Sequence, residues 1–153
     1  MPTTFRSLLT PALGCLLFVA SESAALAEPG LASLDITVSG LRSARGMLRL
    51  CLWKDKPGFP DCQKSATAVH RSIPITATTM TLDFTGLAPG RYAVTVLHDE
   101  DGDGKAKTNF IGIPKEGVGI SNNPGGMPGY DKSLVQVGAG TAIEVKIRYL
   151  FGG

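Results

Sequence analysis

A single antiparallel Greek-key β-sandwich is the fold class that this chain predicts, all-β throughout, and three observations predict it. Apolar and polar residues alternate with a period of two in one segment after another. Gly, Pro, Asn and Asp separate those segments. No stretch carries a helical period, and no strand-helix alternation argues for a parallel sheet. About seven short strands divided by turns suit two packed sheets. One long Gly-rich loop interrupts the series.

In the first strand, residues 34–39, Leu34, Ile36 and Val38 face one way, Asp35, Thr37 and Ser39 face the other, and Gly40 ends the run. Residues 46–53 form the second, with Leu48, Leu50 and Leu52 on one face and Met47, Arg49, Cys51 and Trp53 on the other. Residues 54–60 (KDKPGFP) are a loop. Residues 69–75 read as a strand that Pro74 confines to a sheet edge or strand end. Met80, Leu82 and Phe84 alternate with Thr79, Thr81 and Asp83 in the next. Pro89 and Gly90 suit the central positions of a type II turn, with the positive φ at Gly90. Tyr92, just past that turn, is placed as a tyrosine corner whose hydroxyl bonds back upstream. Residues 91–98 are apolar on both faces and belong in the middle of a sheet. Residues 110–127, with five glycines and two prolines, read as a long structured loop. Strands at 133–137 and 141–151 follow, the last with Ile143, Val145, Ile147, Tyr149 and Phe151 inward.

The N-terminus has the form of a secretory signal: Arg6, an apolar run over 8–20, and Ala25-Leu26-Ala27 as the cleavage site. Residues 1–27 are then removed and 28–153 form one domain, exported to the periplasm or the medium. The apolar run is shorter than the roughly 20 residues needed to span a bilayer, and no later segment qualifies as transmembrane. Cleavage before Cys15, after Leu13-Gly14, would instead make a lipoprotein. The formal charge of +2 comes with scattered basic residues, which excludes a nucleic-acid groove and a polybasic membrane patch. After cleavage only Cys51 and Cys62 remain, and in an oxidising compartment they are expected to pair. A redox or metal-binding pair competes with that reading, without C-x-x-C spacing and with no His between the two.

Asp99, Asp101, Asp103 and Gly104 have the D-x-D-x-D-G spacing that wraps oxygen ligands around a hard cation such as Ca2+. The twelfth loop position, which should be Glu, is Phe110. The other reading is a solvated acidic turn, in which Asp and Gly supply turn chemistry alone. His98, with Asp99, Glu100 and Glu116 near it in sequence, is the only cluster from which a general acid or base could come. Its plain alternative is a strand-terminal imidazole bonded to a loop. No zinc spacing joins His98 to His70, and no G-x-S-x-G elbow or free cysteine offers a nucleophile. A non-catalytic envelope binding or structural module, meeting an envelope protein or a glycan, is therefore expected. Its candidate ligand-binding residues are His98, Glu116, Ser121, Asn122 and Asn123. The alternative is a hydrolase or lyase using His98 and a bound cation.

Two stretches carry a family resemblance: LAPGRYAVTVLHDEDGDGK and NFIGIPKEGVGISNN. They resemble the bacterial exported family known as domain of unknown function 2141, over essentially the whole mature chain. Asp101 stands where that family often has Asn, Val118 where an aromatic is usual, and Ile120 where Phe is usual. The resemblance implies a transthyretin-like or carboxypeptidase-regulatory-like sandwich. It implies no established activity.

Overall fold

The structure, a computed structural model, describes residues 30–105, 107, 115–126 and 129–150. Among these the chain forms β1 (Ala32–Ser39), β2 (Met47–Trp53), β3 (Val69–Pro74), β4 (Met80–Leu87), β5 (Gly90–Asp99), β6 (Gly117–Ile120), a four-residue helix α1 (Tyr130–Ser133), β7 (Val135–Val137) and β8 (Thr141–Lys146). A 3-10 turn, Cys62–Lys64, follows the KDKPGFP loop, with Asp61 capping it by accepting the Gln63 amide. No helix among the described residues is long and apolar enough to cross a membrane.

Two sheets make the predicted sandwich. One is ordered β4-β1-β8; the other is β3-β2-β5-β6, with β7 also paired to β5. The alternating residues of each strand meet between them: Leu34, Ile36 and Val38 of β1 and Phe84 of β4 lie against Leu48, Leu50 and Leu52 of β2 and Tyr92, Val94 and Val96 of β5. All are nearly removed from water. Each such side chain stabilises the fold by about 1.5–3 kcal/mol relative to its exposed state. β5 lies between β2 and β6, as its two apolar faces require, and β3 is paired on one side only, as Pro74 requires. The Tyr92 hydroxyl donates to the Ala88 carbonyl at 2.8 Å, completing the expected tyrosine corner.

Four expectations are corrected. The sandwich is not purely antiparallel, because β1 and β8 pair in parallel, Leu34 opposite Thr141 through Ser39 opposite Lys146. A parallel pair needs a long crossover, and here nearly the whole domain supplies it. The positive φ near the corner belongs to Gly86, at 72°, and not to Gly90. Gly86 sits where the β1–β4 register slips, with Ala32 opposite Leu87 but Leu34 opposite Phe84, so the bend is made by a bulge inside β4. The stretch read as loop over 110–127 contains β6. The last strand stops at Lys146, beyond which Arg148 makes a single bridge to Val118. The signal segment 1–27, Phe110 at the twelfth loop position and Phe151, expected inward on the last strand, lie outside the described residues.

Candidate functional site: the outer face of the five-stranded sheet

Among the described residues, the face of this sheet turned away from the core is covered at one end. There Trp53 is fully buried beneath Phe59, edge-on at 5.2 Å, and Phe59 meets Tyr130 of α1 at 5.5 Å. Trp53 Nε1 donates to Thr95 Oγ1 at 2.9 Å, which satisfies the buried indole. The KDKPGFP loop and α1 thus serve as a lid on one half of the face.

The other half is a groove of about 750 Å3, within the range of small-ligand sites. Strand register builds its floor. One row runs His70, Cys51, Thr95, Ile120; the next runs Ser72, Arg49, Leu97, Val118. The Cys51–Cys62 disulfide forms one wall, with a Cα separation of 6.1 Å, so the expected pairing is found. Gly104 and Lys105 of the acidic loop line the groove as well, and Gln63 Nε2 donates to the Gly104 carbonyl, tying the two loops together.

The acidic loop departs from the end of β5. Asp99 is fully buried. Its Oδ1 accepts the Gly102 amide at 2.8 Å, and its Oδ2 accepts the Gly104 amide at 2.9 Å and Arg49 Nε at 2.5 Å. Burial alone would push this carboxyl up; the Arg49 guanidinium and the Gly104 and Gly102 amides together outweigh it and hold the pKa below the ordinary carboxylate value. The exposed Asp101 and Asp103 each accept an amide two residues on, from Asp103 and Lys105. Lys107 Nζ lies against both, 3.6 Å from Asp103. The three carboxylates do converge, with oxygens within 4.8 Å of one another. Their charge is offset in part from within the chain by Arg49 and Lys107. A hard cation, which takes six to eight oxygen ligands, would reach Asp101 and Asp103 only by displacing Lys107.

His98 and Asp99, adjacent in sequence, point to opposite faces of the sheet. His98 is fully buried on the core side. Its Nε2 lies 2.9 Å from the Arg45 carbonyl, which can only accept, so Nε2 carries the hydrogen. Its Nδ1 then receives the Tyr149 hydroxyl at 2.5 Å, while that oxygen accepts the Arg42 amide at 3.0 Å. Both ring nitrogens are thereby occupied. Glu100 pairs with Arg42, whose hydrogen bond holds its carboxyl below the usual value. Glu116 is buried and accepts the Lys107 amide at 3.1 Å. Burial raises its pKa, with the fields of Asp99 and Asp103 adding to the effect.

Ser121, Asn122 and Asn123 close the end of β6. Ser121 Oγ accepts the Val94 amide at 2.9 Å and donates to the Ser133 carbonyl. Asn122 and Asn123 take positive φ, 63° and 45°, which Asn tolerates better than most residues. Asn122 Nδ2 donates to the Lys132 and Leu134 carbonyls, while Asn123 clasps β8 through the Glu144 carbonyl and the Lys146 amide. The structure therefore separates the candidate residues. The three aspartates form one cluster with Glu116 beside it, His98 sits on the far side of the sheet, and Ser121, Asn122 and Asn123 bond the protein's own backbone.

Two features escaped sequence reasoning. Arg49 anchors Asp99, and its signal was a lone charge on the Cys51 face of an otherwise apolar strand. His70 lies against the disulfide, Nδ1 to Cys62 Sγ at 3.4 Å, and only the β2–β3 register reveals it.

The family described as "Uncharacterized protein conserved in bacteria (DUF2141)" matches residues 36–145, from β1 to β8. The chain belongs to the DUF2141 family. The matched span includes the acidic loop, the disulfide and every strand lining the groove. No curated protein and no solved structure matches the chain.

Proposed function

We propose that this DUF2141 protein is an exported, non-catalytic binding module of the cell envelope, and that its ligand, an envelope protein or glycan, seats in the groove beside the disulfide. One observation carries the reading: a ligand-sized groove floored by Thr95, Leu97, Val118 and Ile120, with polar groups at Arg49, Gln63 and His70. The non-catalytic part is supported by His98, whose ring is sealed in the core with both nitrogens bonded. Leu97→Arg would fill the groove from a half-buried position without entering the core. Co-sedimentation with purified peptidoglycan and capture on immobilised envelope protein should show binding by the wild type, weakened by at least about tenfold, or 1.4 kcal/mol, in the variant. Equal binding by both proteins, or by neither, would overturn the reading.

The convergence of Asp99, Asp101 and Asp103 favours a second element, a Ca2+-stabilised loop in which the ion takes the place of the Lys107 ammonium. At free Ca2+ about a hundred times Kd the fold should gain about 2.7 kcal/mol, seen as a rise of several degrees in Tm. Lys107→Met should tighten Ca2+ binding by removing the competitor, and Asp101→Asn should weaken it. A Tm indifferent to millimolar Ca2+ and to EDTA would remove the ion from the account.

A further inference from the structure

We propose that the Cys51–Cys62 disulfide is exchange-competent and passes electrons between this domain and an external dithiol, with attack at Cys62 and proton handling by His70. The two sulfurs are unequal. Cys51 projects from β2 and is 5 % exposed, whereas Cys62 opens the 3-10 turn and is half-exposed on the groove wall. Both cysteines line the groove, and Cys62, the more exposed of the two, is the sulfur that an incoming thiolate meets first.

His70 is the third member. It lies directly across from Cys51 in the β2–β3 ladder, with Nδ1 3.4 Å from Cys62 Sγ. The imidazole nitrogen and both sulfurs lie within 4.8 Å of one another. His70 itself is exposed on an edge strand, open to solvent. A buried structural disulfide has no need of an imidazole on its sulfur, whereas a reactive thiol is made by such a neighbour. The other ionisable groups lining the groove are Arg49, Asp61, Arg71 and Lys105. Arg49 is held by Asp99, and Asp61 is paired with Lys64 at 3.0 Å.

A thiolate of the external dithiol attacks Cys62 Sγ, forming a mixed disulfide, and the Cys51–Cys62 bond breaks with its electron pair on Cys51 Sγ. His70 delivers a proton to that sulfur. The second thiolate of the dithiol then attacks its own partner's sulfur in the mixed disulfide, releasing Cys62 as a thiolate beside the imidazole, where it takes up the second proton. Two electrons and two protons have moved, and the dithiol has become a disulfide. The reverse course oxidises a substrate dithiol.

The test needs no groove ligand, so its result is independent of the binding-module reading. The folded protein is reduced with dithiothreitol, checked by circular dichroism, and alkylated with iodoacetamide, each cysteine being followed by mass spectrometry. Cys62 should react much faster than Cys51. His70→Ala should slow the Cys62 reaction near neutral pH on the order of tenfold, the change in thiolate fraction expected on losing the imidazole, and should leave the Tm of the oxidised protein unchanged. Reduction of the oxidised protein by dithiothreitol should slow in the same variant. Three outcomes each overturn the proposal: a disulfide reduced only after unfolding, equal alkylation of the two cysteines, and rates that His70→Ala does not alter.

Discussion

Asp99→Ala should lower the unfolding free energy by about 3–5 kcal/mol, the cost of breaking a buried, hydrogen-bonded ion pair from one side. The carboxylate is fully buried and holds Arg49 and the amides of Gly102 and Gly104. Its removal leaves two amides without an acceptor and frees the acidic loop from β2. Arg49→Met should cost less, about 2 kcal/mol, because the guanidinium is about a third exposed and solvent screens part of the pair. Asp83→Asn, on an exposed position of β4, should change stability by less than about 0.5 kcal/mol. Urea unfolding of the four proteins checks all three values. The pH dependence follows from the same contacts. Asp99 has its folded pKa depressed, so its contribution is present above the unfolded value, about 3.9, and is lost as pH falls through the folded one. Glu116 has its folded pKa raised, so its contribution is present below the unfolded value, about 4.3, and is lost as pH rises through the folded one. Acid should therefore destabilise the wild type less steeply than Asp99 alone implies. Asp99→Asn should flatten the acid limb, and Glu116→Gln should raise stability at neutral pH.

Gly117→Ala should cost roughly 2–6 kcal/mol although it adds one methyl group. A Cβ at Gly117 would lie 2.4 Å from Tyr149 Cε1 and 2.5 Å from Ile147 Cγ2. Ile147 is a core residue, and Tyr149 cannot retreat without withdrawing its hydroxyl from His98 Nδ1 and from the Arg42 amide. The overpacking accounts for about 1–3 kcal/mol, and the buried imidazole left without its partner for a similar amount. Gly125→Ala, which meets nothing within 4 Å, is the control and should be neutral to within about 0.5 kcal/mol. A shift in the urea midpoint equal to that of the control would show that β6 does not lie this close to β8 and Tyr149.

Gly117 also shows why part of the molecule was hidden. Glycine is depleted in strands, so a stretch with glycines at 117 and 119 and asparagines at 122 and 123 reads as loop. In the folded protein those glycines face inward, where Ile147, Val145 and Tyr149 leave no room for a side chain, while Val118 and Ile120 face the groove. A strand whose inner residues are shaped by close approach has no alternation to read.

Period-two alternation determined the sandwich, the central place of β5 and the face on which Cys51 lies, because the inward or outward direction of a strand residue is a local property, and Pro74 determined the edge place of β3. The spacing of Asp99, Asp101 and Asp103 likewise brought three carboxylates together, because a tight turn of Asp and Gly closes on itself. Only the tertiary structure decided which strands are neighbours, and with that the parallel β1–β8 pair, the capture of Asp99 by Arg49 fifty positions away, and the placing of His70 on the disulfide. Pairing between distant strands is selected by the packing of the whole core, which no window of sequence contains. His98 and Asp99, side by side in the chain, stand on opposite faces of the sheet by the local alternation, because β5 runs on through Asp99.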